Sequence, residues 1–304
     1  MLCCTIGFMF AFGCYKTPHT KQRIEHQTLN TIFSIHVQHT RFSFIFAPML
    51  ELNFKEYGNG DKNLIILHGF LGSLDNWHTL ATEWGKAGLH VWALDMRNHG
   101  KSPHTENHSL QLMVDDVNDF MFQHHINEAS ILGHSMGGKV AMLFAIQYPA
   151  LCEKLIVADI APREYRAGHD DVFDAIFQVD LDTIETRKEA EEAMKPYLGD
   201  FGTRQFILKS LERTEEGKYE WKFNLRTLFQ DYDEIRKPIN SSHVYDGETL
   251  FIKGSISGYI KDEDMVKIND LFPKAKLLSI EDAAHWLHAD KPKEFYDAVY
   301  AFCK

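Results

Sequence analysis

The cysteines are too few and too awkwardly spaced for a disulfide framework or a zinc site. There are five in 304 residues, Cys3, Cys4, Cys14, Cys152 and Cys303, with no C-x-x-C among them. An odd number, crowded toward the start, fits a reducing compartment. Basic charge is also short: 32 lysines and arginines face 43 aspartates and glutamates, a net charge of −11 at pH 7. That balance argues against a chain-wide role on nucleic acid or an anionic membrane, while leaving room for a local basic patch. Long apolar runs are missing too. The opening LCCTIGFMFAFGC is too short to span a bilayer and has no positive flank before it. What is present, 44% hydrophobic and 25% charged residues, is ordinary for a soluble globular protein with one large or two small domains.

Residues 1–48 stand apart, with Lys16, Lys21, Arg23 and Arg41 against a single acid, Glu25. The expectation is an unstructured leader or upstream extension, folding that starts near Met49, and a cytoplasmic protein. A basic, acid-poor stretch is also the composition of a mitochondrial transit peptide, and FGC at 12–14 has the look of a lipoprotein export site.

From Met49 the pattern alternates. LNF (52–54), LIIL (64–67), VWAL (91–94), SIL (130–132), LIVADI (155–160), TLFI (249–252) and LLSI (277–280) read as strands, several of them unalternating as in strands buried on both faces. Helical patterns at 76–86, 110–124, 137–147, 262–271 and 291–302 separate them. Strand–helix alternation predicts an α/β fold with a doubly wound, mostly parallel sheet. Residues 161–245 break the rhythm: EAEEAMKPYL and TRQFILKSLE read as amphipathic helices, and a short hairpin is expected around Glu216-Gly217. An excursion of about 85 residues is too long for a connection and reads as a cap over the carboxyl edge of the sheet, inserted into a core of 49–160 and 246–304. Phe173, Ile176, Phe177, Phe206, Ile207, Trp221 and Phe229 are its candidates for cap core or acyl pocket.

Three segments carry chemistry. ILGHSMGGKVAMLFA (131–145) runs an apolar strand into G-x-S-x-G and then a helix. A nucleophile on so sharp a turn is forced into a strained backbone, and its neighbours two residues away must lack side chains; Gly133 and Gly137 meet that need around Ser135. LIILHGFLGSLDNW (64–77) ends a strand at His68-Gly69-Phe70, where the Phe70 N–H can join that of Met136 in an oxyanion hole. EDAAHWLHADKP (281–292) offers His285 as the general base, in the last loop by chain order, with His288 as its competitor or a surface position. His68 is expected to pack or bond within its loop, His104 and His108 lack a metal-site pattern, and His124-His125 is expected to end an exposed helix. Asp95 is expected to brace a turn with Arg97 or nearby N–H groups.

Together HGFLGSLDNW, LDMRNHGKSP, GHSMGGKVAM, VADIAPREY, LFIKG-x-x-S-x-Y and AHWLHADKP make the chain, from about residue 50 to the end, similar to the YbfF-type esterases of the α/β-hydrolase superfamily and their mitochondrial relatives. The resemblance bears on the acid of a Ser–His–acid triad. The loop where many such enzymes keep it offers Ser257. Asp159 ends the strand after the nucleophile helix, and carboxyl ends of adjacent parallel strands converge on one crevice. The resemblance implies the same place for the acid, with Ser257 as auxiliary; Asp262 and Asp264 are the rivals, or else helix N-terminal acids.

The expected function is hydrolysis of carboxylic esters or acyl-CoA thioesters of small to medium acyl groups, without cofactor or metal. Arg163 and Arg166 could meet CoA phosphates or form a solvated pair. Carbon–carbon cleavage, a pyruvyl-type elimination and non-catalytic ligand binding are the alternatives.

Overall fold

The unalternating apolar runs become the centre of one sheet in the computed structural model, which describes residues 49–304. Its strands are β1 (Phe54–Tyr57), β2 (Lys62–Leu67), β3 (Leu89–Leu94), β4 (Ala129–His134), β5 (Cys152–Ala158), β8 (Glu248–Gly254) and β9 (Ala275–Ile280). They pair in the order β1-β3-β2-β4-β5-β8-β9. β1 is antiparallel to β3, and every other pairing is parallel. Helices α1 (His78–Lys86), α2 (Leu110–Gln123), α3 (Met136–Gln147), α9 (Asp264–Leu271), α10 (Leu287–Asp290) and α11 (Pro292–Cys303) accompany it.

Both faces are covered, so neither face needs polar residues. On β2, Ile65 and Leu67 enter one apolar cluster with Val117, Phe120 and Phe144 from α2 and α3. Leu64 and Ile66 enter the other with Trp84, Phe295 and Val299 from α1 and α11. Each fully buried aliphatic side chain contributes roughly 1.5–3 kcal/mol. The first strand lies two residues later than LNF suggests. Leu52 is buried ahead of the pairing, while the edge strand leaves Lys55 and Glu56 exposed and shows no apolar run.

Between β5 and β8 lie α4 (Asp170–Phe177), α5 (Arg187–Met194), α6 (Phe201–Leu208), the hairpin β6 (Leu211–Arg213) and β7 (Tyr219–Trp221), α7 (Leu225–Gln230) and α8 (Tyr232–Arg236). Thr186 and Asp200 cap α5 and α6 by accepting the Glu189 and Thr203 N–H groups. The hairpin turns at Gly217, whose φ of 83° suits glycine. Among the bonds that tie the segment to the sheet region, Ser210 Oγ donates to the Leu71 carbonyl at 2.9 Å, the Asn224 N–H to that of Asn98 at 2.9 Å, and Lys139 Nζ to that of Lys237 at 2.6 Å. Among the described residues no helix is long and apolar enough to cross a membrane. The cysteine-rich opening and the rest of 1–48 lie outside the described residues.

Candidate active site

A single residue, Ser135, separates β4 from α3, with φ 51° and ψ −115°. The turn is possible because the strand end and the helix start come together with nothing between them. A Cβ on Gly133 would stand 2.1 Å from the Gly137 carbonyl oxygen, and one on Gly137 would stand 2.2 Å from that of Leu67. Gly137→Ala should therefore push α3 off β2. We expect it to lower the thermal midpoint by several degrees and to abolish labelling of Ser135, as read by calorimetry and a fluorophosphonate probe.

The Ser135 hydroxyl lies 3.1 Å from His285 Nε2. His285 Nδ1 lies 2.8 Å from Asp159 Oδ2. Asp159 follows β5 with φ 50° and is fully buried. Its N–H donates to the Ile252 carbonyl at 2.8 Å, which fixes it against the end of β8. Its carboxylate accepts from the Gly254 N–H at 3.2 Å, from the Ser257 hydroxyl and from His285. Three donors satisfy a buried anion that would otherwise be costly. The Ser257 oxygen in turn accepts the Tyr259 N–H at 3.2 Å.

The rivals lie elsewhere. Asp262 is exposed and pairs with Lys253, while Asp264 pairs with Arg163 at 3.1 Å and accepts the Lys261 N–H at the start of α9. Arg163 also stacks on Tyr165, and Arg166 lines a cavity beside Ser135. His288 is not the surface position expected of it: α10 turns its ring inward to stack on Trp77 at 4.4 Å, and burial pushes its pKa down to about 3. Asp95 accepts the Leu74 and Lys101 N–H groups and the Asn53 amide; Arg97 is committed instead to a buried pair with Asp116 at 2.6 Å. His104 is exposed, His108 is buried, and His124 closes α2 against Phe54 and Phe120. Among the described residues no three His, Cys, Asp or Glu side chains are grouped to hold a metal ion.

Two cavities flank Ser135. One, of about 80 Å³, is lined by Phe70, Met136, Lys139, Tyr165 and Tyr259. The other, of about 40 Å³, is lined by Leu71, Phe206, Ile207, His285 and Trp286. A wider surface cleft of about 250 Å³ near Asp95 includes none of Ser135, His285 and Asp159. Among the described residues the N–H groups of Phe70 and Met136, both on the first cavity, donate to no protein acceptor. Of the apolar candidates, Phe206 and Ile207 reach the smaller cavity, Phe173, Ile176 and Trp221 are buried in core, and Phe177 and Phe229 stay half-exposed.

Several residues at the site have no role assigned in the sequence analysis, although Tyr259, His134 and Lys139 stand inside the motifs quoted there. Tyr259 stacks flat on the His285 ring at 3.6 Å. His134 donates from Nε2 to the His285 carbonyl at 2.9 Å, and burial, with His285 and His288 nearby, holds it well below the usual histidine range. His169 bonds Tyr232 and lines both cavities, its pKa pushed down to about 4 by burial. Lys139 gives its ammonium to the Arg236 and Lys237 carbonyls, and burial pushes it down to about 7.

The arrangement can hold a proton between a hydroxyl and an imidazole, with a carboxylate behind the imidazole and two free N–H groups in front. The family model described as alpha/beta hydrolase fold matches residues 62–292. The chain is 37% identical over 255 residues to sn-1-specific diacylglycerol lipase ABHD11 of Danio rerio, covering 81% of this chain and 80% of that protein. It is 34% identical over 242 residues to esterase YbfF of Escherichia coli, covering 79% and 92%. A solved marine microorganism esterase superposes with a TM-score of 0.81 at 40% identity, covering 83% of this chain and 99% of the other. The chain belongs to the α/β-hydrolase family, among its YbfF-type esterases.

Proposed function

We propose that this ester-hydrolysing α/β hydrolase works through an acyl-enzyme on Ser135, on carboxylic esters or acyl-CoA thioesters of small to medium acyl groups. The observation that carries the mechanism is the single bonded chain from Ser135 through His285 to buried Asp159. His285 takes the hydroxyl proton at Nε2 as Oγ attacks the acyl carbon. Asp159 keeps Nδ1 protonated and stabilises the imidazolium. The N–H groups of Phe70 and Met136 receive the oxyanion, and the positive end of α3 adds to their field. His285 then protonates the leaving group, and water repeats the sequence on the acyl-serine. Ser257 steadies Asp159 by donating to Oδ2, the oxygen that also receives His285.

Residues 161–245 act as the cap in this reading, closing the site with Phe206 and Ile207 on one side and Tyr165 and Tyr232 on the other. Cavities of about 40 and 80 Å³ support small acyl groups, since liquid water occupies about 30 Å³ per molecule. Relatives named for ester and diacylglycerol hydrolysis support the ester class. The test is a panel of p-nitrophenyl esters and acyl-CoAs from acetyl to palmitoyl, with fluorophosphonate labelling located by peptide mass spectrometry. We expect turnover that falls with chain length and a label on Ser135. A chain that neither turns over nor labels would sink the reading.

A further inference from the structure

The proposed oxyanion loop runs His68-Gly69-Phe70-Leu71, and a histidine ring holds each of the two peptides that flank Phe70. The first peptide carries the Phe70 N–H at one end and the Gly69 carbonyl at the other. That carbonyl accepts from the Gly72 N–H at 3.0 Å and from His68 Nδ1 at 2.8 Å. A trans peptide is planar, with its N–H and C=O pointing in opposite directions, so holding the oxygen sets the direction of the N–H. The second peptide carries the Leu71 N–H, which donates to His99 Nε2 at 3.2 Å.

The two rings work in opposite senses. His68 gives a proton to the loop from Nδ1 and takes the Met96 N–H on Nε2 at 3.0 Å. His99 takes a proton from the loop on Nε2 and gives its own from Nδ1 to the Arg97 carbonyl at 2.9 Å. Each ring therefore satisfies its partners in one neutral tautomer only; an imidazolium could not accept the Met96 or Leu71 N–H. The rings lie edge to face at 5.0 Å, and both are buried. Burial pushes both below the ordinary histidine range and so favours the neutral form this pattern requires.

We propose that His68 and His99 are positioning residues that aim the Phe70 N–H at the oxyanion, His68 by gripping the carbonyl of that peptide and His99 by gripping the N–H of the next. The proposal rests on the reading of Phe70 as an oxyanion donor. It adds a polarising role for His68: a second donor on the Gly69 carbonyl makes the N–H at the other end of the same peptide a stronger donor.

Amide side chains separate this role from space-filling. Asparagine places its NH₂ near the position of Nδ1, and glutamine places its carboxamide near that of Nε2. His68→Asn keeps the grip on Gly69, and His99→Gln keeps an acceptor for Leu71; His68→Gln and His99→Asn lose these. Steady-state kinetics on p-nitrophenyl acetate should show kcat within about threefold of wild type for the first pair. The second pair should lose roughly 30-fold in kcat with little change in KM, less than the 10²–10³ measured for deleting an oxyanion donor outright. An alkylboronic acid, which forms a tetrahedral adduct on serine, should lose affinity in the second pair alone. Equal losses for Asn and Gln at each position, or a loss confined to KM, would overturn the proposal. Failure of the hydrolase reading looks different: wild type then neither turns over esters nor labels, and this proposal falls with it.

Discussion

Asp159→Asn should lower kcat by about 10⁴-fold, roughly a hundredfold less than the loss from removing the nucleophile itself. The cause is the tautomer. His285 Nδ1 now donates to Oδ2 at 2.8 Å, leaving the Nε2 lone pair free for the Ser135 hydroxyl at 3.1 Å. Asp159 Oδ1 accepts the Gly254 N–H while Oδ2 serves both Ser257 and His285, so an asparagine that keeps its oxygen on the Gly254 N–H places its NH₂ at the Oδ2 position, facing His285, where the Ser257 hydroxyl can turn to accept from it. The imidazole then moves its proton to Nε2 and stops being a base toward serine. Ser257→Ala removes one donor from a carboxylate that keeps two, and should cost about tenfold, the scale of one hydrogen bond to a charged group. Asp262→Asn should leave kcat unchanged, and Asp264→Asn should act on stability through Arg163. Turnover at saturating p-nitrophenyl acetate decides. Asp159→Asn within tenfold of wild type would remove Asp159 from the mechanism.

Acidification should unfold the protein well above the pH at which carboxylates titrate. His68, His99, His108, His134, His169 and His288 are all pushed down by burial, His108 and His288 to about 3 and His169 to about 4. A histidine of depressed folded pKa contributes its full stability above the unfolded value near 6.5. It loses that stability as pH falls from there toward the folded value, because the unfolded chain binds a proton that the folded one excludes. At pH 5 each such ring costs about 2 kcal/mol, so the three with stated values together cost about 6 kcal/mol, within the range of a whole domain's stability, about 5–15 kcal/mol. Burial raises the Asp116 and Asp119 carboxyls, which act in the opposite sense but are fewer. We expect the thermal midpoint to fall by about 15 °C between pH 7 and pH 5. A flat profile over that interval would mean the rings are protonated inside the fold.

The sheet was legible in the sequence because its strands are buried on both faces and announce themselves as short unalternating runs. The edge strand was not, since Lys55 and Glu56 face solvent and the apolar signal drifts to Leu52. Ser135 could be located because its turn demands glycines that a chain seldom spends together, and His285 because it sits in the last loop. Asp159 needed the resemblance as well: nothing in LIVADI distinguishes a triad acid from any aspartate at a strand end. The surface reading of His288 failed because a polar residue in a charged stretch implies solvent, while its stacking partner, Trp77, comes from much earlier in the chain. Tyr259 and His134 stand inside the quoted motifs, but their contacts with His285 arise only where the last loop folds against β4 and the loop after β8, and His169 reaches the cavities from the segment between β5 and β8.

The chain leaves the sheet at Asp159 and enters the inserted segment through Ile160 and Ala161 alone, with no slack between them: the Ala161 N–H is held by Tyr165, whose hydroxyl holds the Tyr259 carbonyl. The carboxylate thus sits at the anchor point of a tether. Any pull on the inserted segment reaches that anchor through two peptide bonds, and through Tyr259 it also reaches the ring stacked on His285. On the mechanism proposed above, the segment that would close the site and the acid behind the base share one short stretch of chain, an arrangement that an acid carried on the loop after β8 would not give.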